Sequence, residues 1–233
     1  MKIDLFDRYD IRTRICAFIF VLSPFLLDAY ILVDAIRNFS STVIISVVLI
    51  AGSGLATCWM RYMGNIVKQN DLIAEYLTPS SAVIDANTKA RYHAKLAEHE
   101  PEFADLSSDD PKVCQAVAKD VSGWLKEKTR DEKYSLIREE NLNYGFIRNL
   151  YAVKAAFLVC FSAYNIVLLV LLIISNWELS PNEYFTTIPV EHVACWIIHV
   201  GFFLIWIFGI SRKILDFTAK KYAKSVIAAI DKL

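Results

Sequence analysis

The chain has 233 residues, of which 55% are hydrophobic and 21% are charged, and its 25 acidic residues balance 25 lysines and arginines. So large an apolar fraction beside so many charges indicates that the two kinds of residue occupy separate segments. The balanced charge provides no global field for nucleic acid or an anionic substrate, so we expect no nucleic-acid binding. The five cysteines include no C-x-x-C pair, which argues against a disulfide framework.

Four apolar segments are long enough to cross a bilayer, because about 20 helical residues at 1.5 Å each span roughly 30 Å of hydrocarbon. They cover residues 15–36, 42–60, 152–174 and 190–210. Each is apolar on all sides, whereas a core helix of a soluble bundle carries a polar face. The sequence therefore predicts an all-α integral membrane protein with four transmembrane helices, arranged as two hairpins over 15–60 and 152–210.

The basic residues predict the orientation of these segments, since lysine and arginine in short loops stay on the cytoplasmic side. They cluster before the first and third segments and after the second and fourth, at Lys2, Arg8, Arg12, Arg14, Arg61, Lys68, Arg148, Lys154, Arg212, Lys213, Lys220, Lys221 and Lys224. The only lysine or arginine in the two hairpin tips, roughly 37–41 and 175–189, is Arg37. We therefore predict a multi-pass protein of the cell inner membrane whose N-terminus (1–14) and C-terminus are cytoplasmic.

Several polar residues interrupt the apolar segments, and three of them are singled out: Asp28 in the first, Asn165 in the third and His199 in the fourth. A carboxylate or imidazole inside a bilayer is costly unless it has a partner or faces a polar interior. These residues could line a water path, or each could be satisfied by a neighbouring helix, and Asp28 could instead lie near the outer headgroups. They are the candidate intramembrane polar residues.

The second apolar segment contains a flat surface made by Gly52, Ser53 and Gly54. Small residues allow helix backbones to approach closely. We interpret the Gly52/Gly54 face as a helix-packing surface rather than a pore lining, and it could join protomers in a homo-oligomer.

Residues 61–151 hold most of the charge and predict a helical cytoplasmic insert. Its first helix should continue from the second apolar segment to Pro79, which stops it. A second should run from about Asp85 to Glu98 with Asp85 as its cap, and a third should begin at Asp109 or Asp110. A fourth should begin near Asp131 and continue into the third apolar segment. His93 and His99 lie six residues apart, share no helical face, and are expected to be exposed.

The third insert helix carries an apolar stripe with a spacing of about four residues, which indicates a face that needs a partner. Its members are Val113, Val117, Val121, Trp124 and Leu125. We treat this stripe as an interaction surface of the insert.

Residues 211–233 predict an amphipathic C-terminal helix. Its apolar side contains Ile214, Tyr222, Val226, Ile230 and Leu233, with lysines among the other positions. Such a helix could lie on the anionic inner leaflet or pack on the insert, and the sequence favours neither.

Enzyme signatures such as a P-loop, GxGxxG, G-x-S-x-G or H-E-x-x-H are absent from the sequence. His192, Cys195 and His199 share a helical face and are suitable metal ligands, but two turns separate the histidines by about 10 Å, too far for one tetrahedral ion. We therefore predict no catalytic site, no bound metal and no cofactor.

Polar and aromatic residues concentrate in the stretch 138–154, where the fourth insert helix enters the third apolar segment. Tyr144, Gly145, Arg148 and Asn149 are its most distinctive members. The stretch could be an ordinary anchored helix entry. It could instead be a coupling element that transmits insert rearrangements to the third apolar segment.

Within this stretch, Tyr144-Gly145-Phe146 followed by Arg148-Asn149-Leu150 resembles a pattern in uncharacterised bacterial inner-membrane proteins that have two helical hairpins around a cytoplasmic insert. Some of those proteins accompany anti-phage defence systems. The resemblance implies a membrane-acting defence component, either an effector that oligomerises and breaches the membrane or a sensor of membrane perturbation. It transfers no functional residue to this chain.

Three functional hypotheses follow from the sequence. The chain could be a signal-gated effector or sensor whose insert meets a cytoplasmic partner or a small ligand. It could be a small channel or transporter with Asp28, Asn165 and His199 along its path. It could also be a membrane scaffold whose insert recruits a cytoplasmic protein.

Overall fold

The computed structural model of the chain describes residues 7–37, 39–175 and 188–233, without side chains for Ala35, Arg37, Glu132 and most of residues 39–51. Every described element is helical, so the predicted all-α fold is confirmed. In chain order the helices are α1 (Arg8–Leu32), α2 (Phe39–Ile66), α3 (Leu72–Leu77), α4 (Ala86–His99), α5 (Pro111–Lys128), α6 (Ser135–Ser175), α7 (Val190–Gly209) and α8 (Arg212–Ala228).

Three of these helices, α1, α6 and α7, are long and apolar enough to cross a membrane. Helix α6 contains the third predicted segment, whereas α1 covers the first only as far as Leu32 and α7 covers the fourth as far as Gly209. These helices indicate a membrane protein. The second predicted segment, 42–60, lies in α2, where most side chains before Gly52 are outside the described part. The hairpin tip at 176–187 also lies outside the described residues.

The chain divides into two units. The bundle unit comprises Met1–Val67 and Gly145–Ile214, and the insert unit comprises Lys68–Tyr144 and Leu215–Leu233. Helix α6 contributes residues to both, because the boundary falls between Tyr144 and Gly145. The insert unit overlaps the predicted insert, 61–151, over Lys68–Tyr144, and it also includes Leu215–Leu233.

The insert unit has one apolar core to which α3, α4, α5 and α8 all contribute. Its buried members include Leu77, Leu96, Leu106, Val121, Leu125, Val226, Ile227 and Ile230. Full burial of such a side chain contributes about 1.5–3 kcal/mol. Of the two placements considered for the C-terminal helix, packing on the insert is the one found.

The first insert helix does not continue from α2 as predicted. Helix α2 ends at Ile66, and α3 starts afresh at Leu72. Asp71 causes the break, because its carboxylate accepts hydrogen bonds from the Ile73 and Ala74 amides at 3.2 and 3.3 Å. An N-cap of this kind stabilises a new helix start.

Asp71 also ties this helix start to α5. Its carboxylate accepts hydrogen bonds from Ser122 Oγ and from Lys126 Nζ, each at 2.8 Å. Burial would raise the pKa of Asp71, but the bonds from Lys126 and Ser122 outweigh it and hold the pKa below its usual 3.8. Asp71 is therefore a carboxylate at neutral pH, and its charge is part of the packing.

The other predicted helix starts are confirmed. Asp85 caps α4 by accepting from the Thr88 amide at 2.9 Å. Asp110, rather than Asp109, caps α5 by accepting from the Lys112 amide at 2.8 Å, with Pro111 in the first turn. The turn capped by Asp131 leads directly into α6.

The apolar stripe of α5 is only partly directed into the core. Val121 and Leu125 are fully buried, and Val117 and Trp124 are packed against the core at its edge, whereas Val113 is 39% exposed. The buried line of α5 is made by Cys114, Ala118, Val121, Ser122 and Leu125. At the start of α5, the face directed into the core therefore contains Cys114 and not the predicted Val113.

The expected exposure of His93 is wrong, because its imidazole is buried. Its Nε2 donates to the carbonyl oxygen of Leu77 at 2.8 Å, so Nδ1 accepts from the Ser107 hydroxyl at 3.0 Å. The neighbouring Lys89 is also buried, and its ammonium donates to the carbonyls of Thr78, Pro79 and Ser81. Carbonyls at the end of α3 need donors, and these two side chains of α4 supply them.

We expect the insert unit to lose stability as the pH falls below about 6.5, the ordinary pKa of histidine. Burial lowers the pKa of His93. The hydrogen bond to the Leu77 carbonyl raises this pKa, whereas the positive charge of Lys89 lowers it further. The unfolded chain therefore binds a proton at a pH where folded His93 remains neutral, which stabilises the unfolded state. One such group changes the free energy of unfolding by at most about 1.4 kcal/mol per pH unit.

Thermal unfolding of the full chain in detergent, followed by circular dichroism at pH 7.5 and 5.5, measures this dependence. His93→Gln should remove most of the difference, whereas the same change at the exposed His99 should leave it intact. Equal effects of the two substitutions would show that His93 is not the responsible group.

Candidate functional site

The bundle unit contains a buried polar cluster where α1, α6 and α7 meet. It brings together the three intramembrane candidates, Asp28, Asn165 and His199, and adds Tyr164. Asp28 is 1% exposed and His199 is 2% exposed. The candidates therefore contact one another in a buried cluster.

Short contacts join the three helices through this cluster. The Tyr164 hydroxyl donates to Asp28 Oδ2 at 2.7 Å, and His199 Nε2 lies 2.8 Å from the same oxygen. The Nε2–Oδ2 contact is close but lacks the alignment of a linear hydrogen bond. On its other side, His199 Nδ1 lies 2.7 Å from Asn165 Oδ1.

The orientation of Asn165 fixes the protonation of the imidazole. Its amide nitrogen donates to the carbonyl oxygen of Phe161 at 2.8 Å, so its oxygen faces His199 and must accept. His199 Nδ1 therefore carries a hydrogen. Nε2 then faces a carboxylate oxygen, and two bare acceptors at 2.8 Å would repel, so one proton lies between Nε2 and Asp28 Oδ2.

Two protonation states satisfy this geometry: an imidazolium beside a carboxylate, or a neutral imidazole beside a carboxylic acid. Both have zero net charge and one shared proton. Net neutrality is what an interior with little water requires, since an unpaired charge there costs several kcal/mol.

Aromatic rings enclose the cluster. Phe25 lies edge-on to Tyr164 with ring centroids 5.0 Å apart, and Phe161 lies edge-on to His199 at 4.9 Å. Cys195, one turn before His199, is buried and faces the Asp28 carboxylate. Asp28 Oδ1 is buried and has no hydrogen bond of standard geometry within the described residues. Oδ1 is therefore the less well satisfied oxygen of the carboxylate, with the Cys195 thiol as the donor that faces Asp28.

His192, the third member of the possible metal set, lies elsewhere. It borders an apolar groove of about 310 Å³ together with Leu172 and Trp196. Within the described ranges, no three His, Cys, Asp or Glu side chains are arranged to hold a metal ion.

A second junction in the bundle unit joins α1, α2 and α6. Asn149 is 1% exposed, and its amide donates to the Thr13 carbonyl at 2.8 Å. A Cβ on Gly64 would lie 2.2 Å from Asn149 Oδ1 and 3.5 Å from Arg148 Nε. A Cβ on Gly145 would lie 2.6 Å from the Tyr9 hydroxyl oxygen. A larger residue at either position would therefore force the facing side chain or the helix to move.

The predicted coupling residues thus occupy different surroundings. Gly145, Arg148 and Asn149 belong to the junction just described, whereas Tyr144 belongs to the insert unit. There its hydroxyl donates to Gln69 Oε1, and its ring stacks on Tyr222 with centroids 6.0 Å apart.

The Gly52/Gly54 face makes no close contact within the described part of the chain. A Cβ on either glycine would meet no atom within 4 Å, and the adjacent Leu55 is 79% exposed. The close-packing glycine of α2 is Gly64, which the sequence did not single out because nothing local marks its partner.

A polar groove of about 800 Å³ lies in the insert unit, between the region of α3 and the start of α5. Its lining residues are Asn70, Asp71, Ala74, Glu75, Thr78, Pro79, Ser80, Ser107, Ser108, Asp109, Pro111, Cys114, Gln115 and Lys119. Three of these are acidic and one is basic. The groove is large enough for a small polar molecule or a peptide segment.

A scan of protein-family models finds no match to the chain, and neither the search of curated proteins nor that of solved structures finds one.

Proposed function

We propose that the chain is a signal-gated membrane effector or sensor that acts in anti-phage defence. In this proposal α1, α2, α6 and α7 cross the bacterial inner membrane, with both termini cytoplasmic. The apolar character of α1, α6 and α7 supports insertion, and α2, with 28 residues, is about 42 Å long. The observation that carries the gating proposal is the buried cluster of Asp28, Tyr164, Asn165 and His199.

The cluster acts as a latch in this proposal. Asp28 on α1 and His199 on α7 satisfy each other in the closed arrangement. If the two helices separated, both side chains would lose their partner and would need water in its place. The open arrangement is therefore hydrated, whereas the closed one is dry.

The signal enters through the insert unit, by a cytoplasmic protein partner or a small ligand. The polar groove supplies a place for it, because its walls come from two separate stretches, 70–80 and 107–119. Helix α6 supplies the route, since its residues belong to both units.

A homo-oligomer is part of the proposal. The support is the Gly52/Gly54 face, which leaves open space around both glycines and has the form that transmembrane helices use for close association.

A small channel or transporter is the second candidate. The less well satisfied Asp28 Oδ1 favours it, because a buried acceptor faced only by a weak thiol donor can take up a transported or coupling ion. A scaffold remains the third possibility, and it differs in predicting no change of membrane permeability.

Expression in bacterial cells with a membrane-potential dye tests the effector proposal. We expect the wild type to depolarise cells only on phage infection. Asp28→Ala and His199→Ala should depolarise cells without infection, because the latch is lost. Glu191→Gln removes an exposed carboxylate from the same helix as His199 and should behave as wild type.

The outcomes separate the three candidates. Depolarisation that depends on infection supports the effector, and depolarisation that never depends on it supports a channel. A chain whose wild type and variants all leave the potential unchanged would leave only the scaffold.

A further inference from the structure

We propose that the cluster is a proton-binding site whose ligand is a second proton, taken up by Asp28 and His199 together. The inference deepens the latch described above and rests on that proposed function. It starts from the proton count: His199 Nδ1 holds one hydrogen for Asn165, and a single further proton is shared between Nε2 and Asp28 Oδ2.

The site has a place for one more proton. Asp28 Oδ1 is buried and makes no hydrogen bond of standard geometry within the described residues, and the weak thiol donor of Cys195 is the group that faces the carboxylate. The starting state is the ion pair, in which uptake converts a carboxylate beside an imidazolium into a carboxylic acid beside an imidazolium. An Asp28 carbonyl band already present at neutral pH would contradict this starting state. The new O–H bond forms at Asp28, the proton comes from the adjoining aqueous phase, and the net charge of the site changes from zero to plus one.

Within the described residues, that positive charge has no compensation in the cluster. The described side chains that face the pair come from α1, α6 and α7, and the titratable ones among them are Tyr164 and Cys195. Neither is an anion at neutral pH. The enclosing rings of Phe25 and Phe161 supply no counter-charge of their own.

Protonation therefore weakens the contact between α1 and α7. The ion pair that joined them is replaced by an uncompensated cation in a dry site, and such a cation is stable only if water reaches it. Separation of α7 from α1 admits that water. Proton uptake and opening are then coupled equilibria, because the open state binds the second proton more tightly. Acidification and the gating signal therefore both favour the open state.

The test uses the full chain in lipid nanodiscs, with protons as the probe. Infrared spectroscopy follows the carbonyl band of a protonated Asp28, ¹⁵N NMR follows the His199 nitrogens, and hydrogen exchange follows the amides of α7. On acidification we expect the Asp28 band to appear and α7 exchange to rise with one shared midpoint, while Nδ1 stays protonated throughout.

Variants assign the signals. Asp28→Asn should abolish the band and the pH dependence of α7 exchange. Tyr164→Phe removes one donor to Oδ2 but keeps both titratable groups, so it should shift the midpoint and retain the band. Glu191→Gln, an exposed carboxyl change on α7, should alter neither signal.

The proposal is overturned if no Asp28 band appears at any pH at which the chain remains folded, or if the band and α7 exchange have separate midpoints. An unprotonated Nδ1 on His199 would also overturn it. If proton uptake and exchange are coupled but cells never depolarise, the proton site stands and the effector function fails. If cells depolarise on infection but the site takes up no proton, the effector function stands and the proton site fails.

Discussion

We expect Asp28→Ala and His199→Ala each to destabilise the closed bundle unit by about 3–5 kcal/mol, because each leaves the other member of a buried pair without its partner. Both side chains are almost completely buried and their polar atoms lie 2.8 Å apart. A substitution at the exposed Glu191 should cost less than about 0.5 kcal/mol.

The double variant distinguishes a charged latch from ordinary polar contacts. Neutral interhelical hydrogen bonds in membranes contribute about 0.6 kcal/mol on average and about 1.7 kcal/mol at most. A pair that shares a proton should exceed that range, so the double variant should be much less destabilised than the sum of the single ones.

Unfolding in increasing fractions of a denaturing detergent supplies the free energies. Trp206 is a suitable fluorescence reporter, because it is fully buried in the bundle unit and stacks on Phe157 with centroids 4.0 Å apart. Additive effects of the two substitutions would refute the latch, whatever the size of each.

The sequence located the members of this cluster but not their geometry. Asp28, Asn165 and His199 were conspicuous because a polar group within an apolar helix must be satisfied somewhere. Their pairing depends on the register of three helices, which the spacing within any one helix does not contain. The role of Tyr164 as donor to Asp28 depends on the same register.

In the insert unit, local signals were reliable where the partner was also local. The caps at Asp85 and Asp110 bind amides two or three residues away, so sequence spacing predicted them. The burial of His93 was missed because its partners, Leu77 and Ser107, lie 16 and 14 residues away. A helix face that looks polar can thus be buried when an adjacent turn needs its donors.

The two glycine sites of α2 illustrate the same limit. The Gly52/Gly54 pair has the pattern of a packing surface, yet it meets nothing within the described chain. Gly64 has no such pattern, yet it lies against Asn149, 85 positions further along the chain. Close approach at Gly64 follows from a tertiary contact that no short motif encodes.

Gly64→Ala should therefore destabilise the bundle unit, whereas Gly52→Ala should not. A Cβ at Gly64 would lie 2.2 Å from Asn149 Oδ1, so Asn149 or the helix must move, at a cost of about 1–3 kcal/mol. Alanine recovers only about 0.5–1 kcal/mol through its better helix propensity. Gly52→Ala gains the same propensity in open space and meets no obstruction.

The same detergent unfolding measures both substitutions, and a third variant tests the cause. Combining Gly64→Ala with Asn149→Ala removes the overlap but also the bond to the Thr13 carbonyl, so it should recover part of the loss. Equal effects at positions 52 and 64 would show that the close approach of α2 and α6 is not the source.

Gly52→Leu extends this comparison from the folding of one chain to association between chains. A Cβ at position 52 meets no atom within 4 Å in the described part of the chain, so we expect the free energy of unfolding to stay near that of the wild type. If protomers associate through this face, the bulk should separate them, and the oligomer should dissociate on size-exclusion chromatography with light scattering. An oligomer that survives Gly52→Leu unchanged would place the contact between protomers on another face.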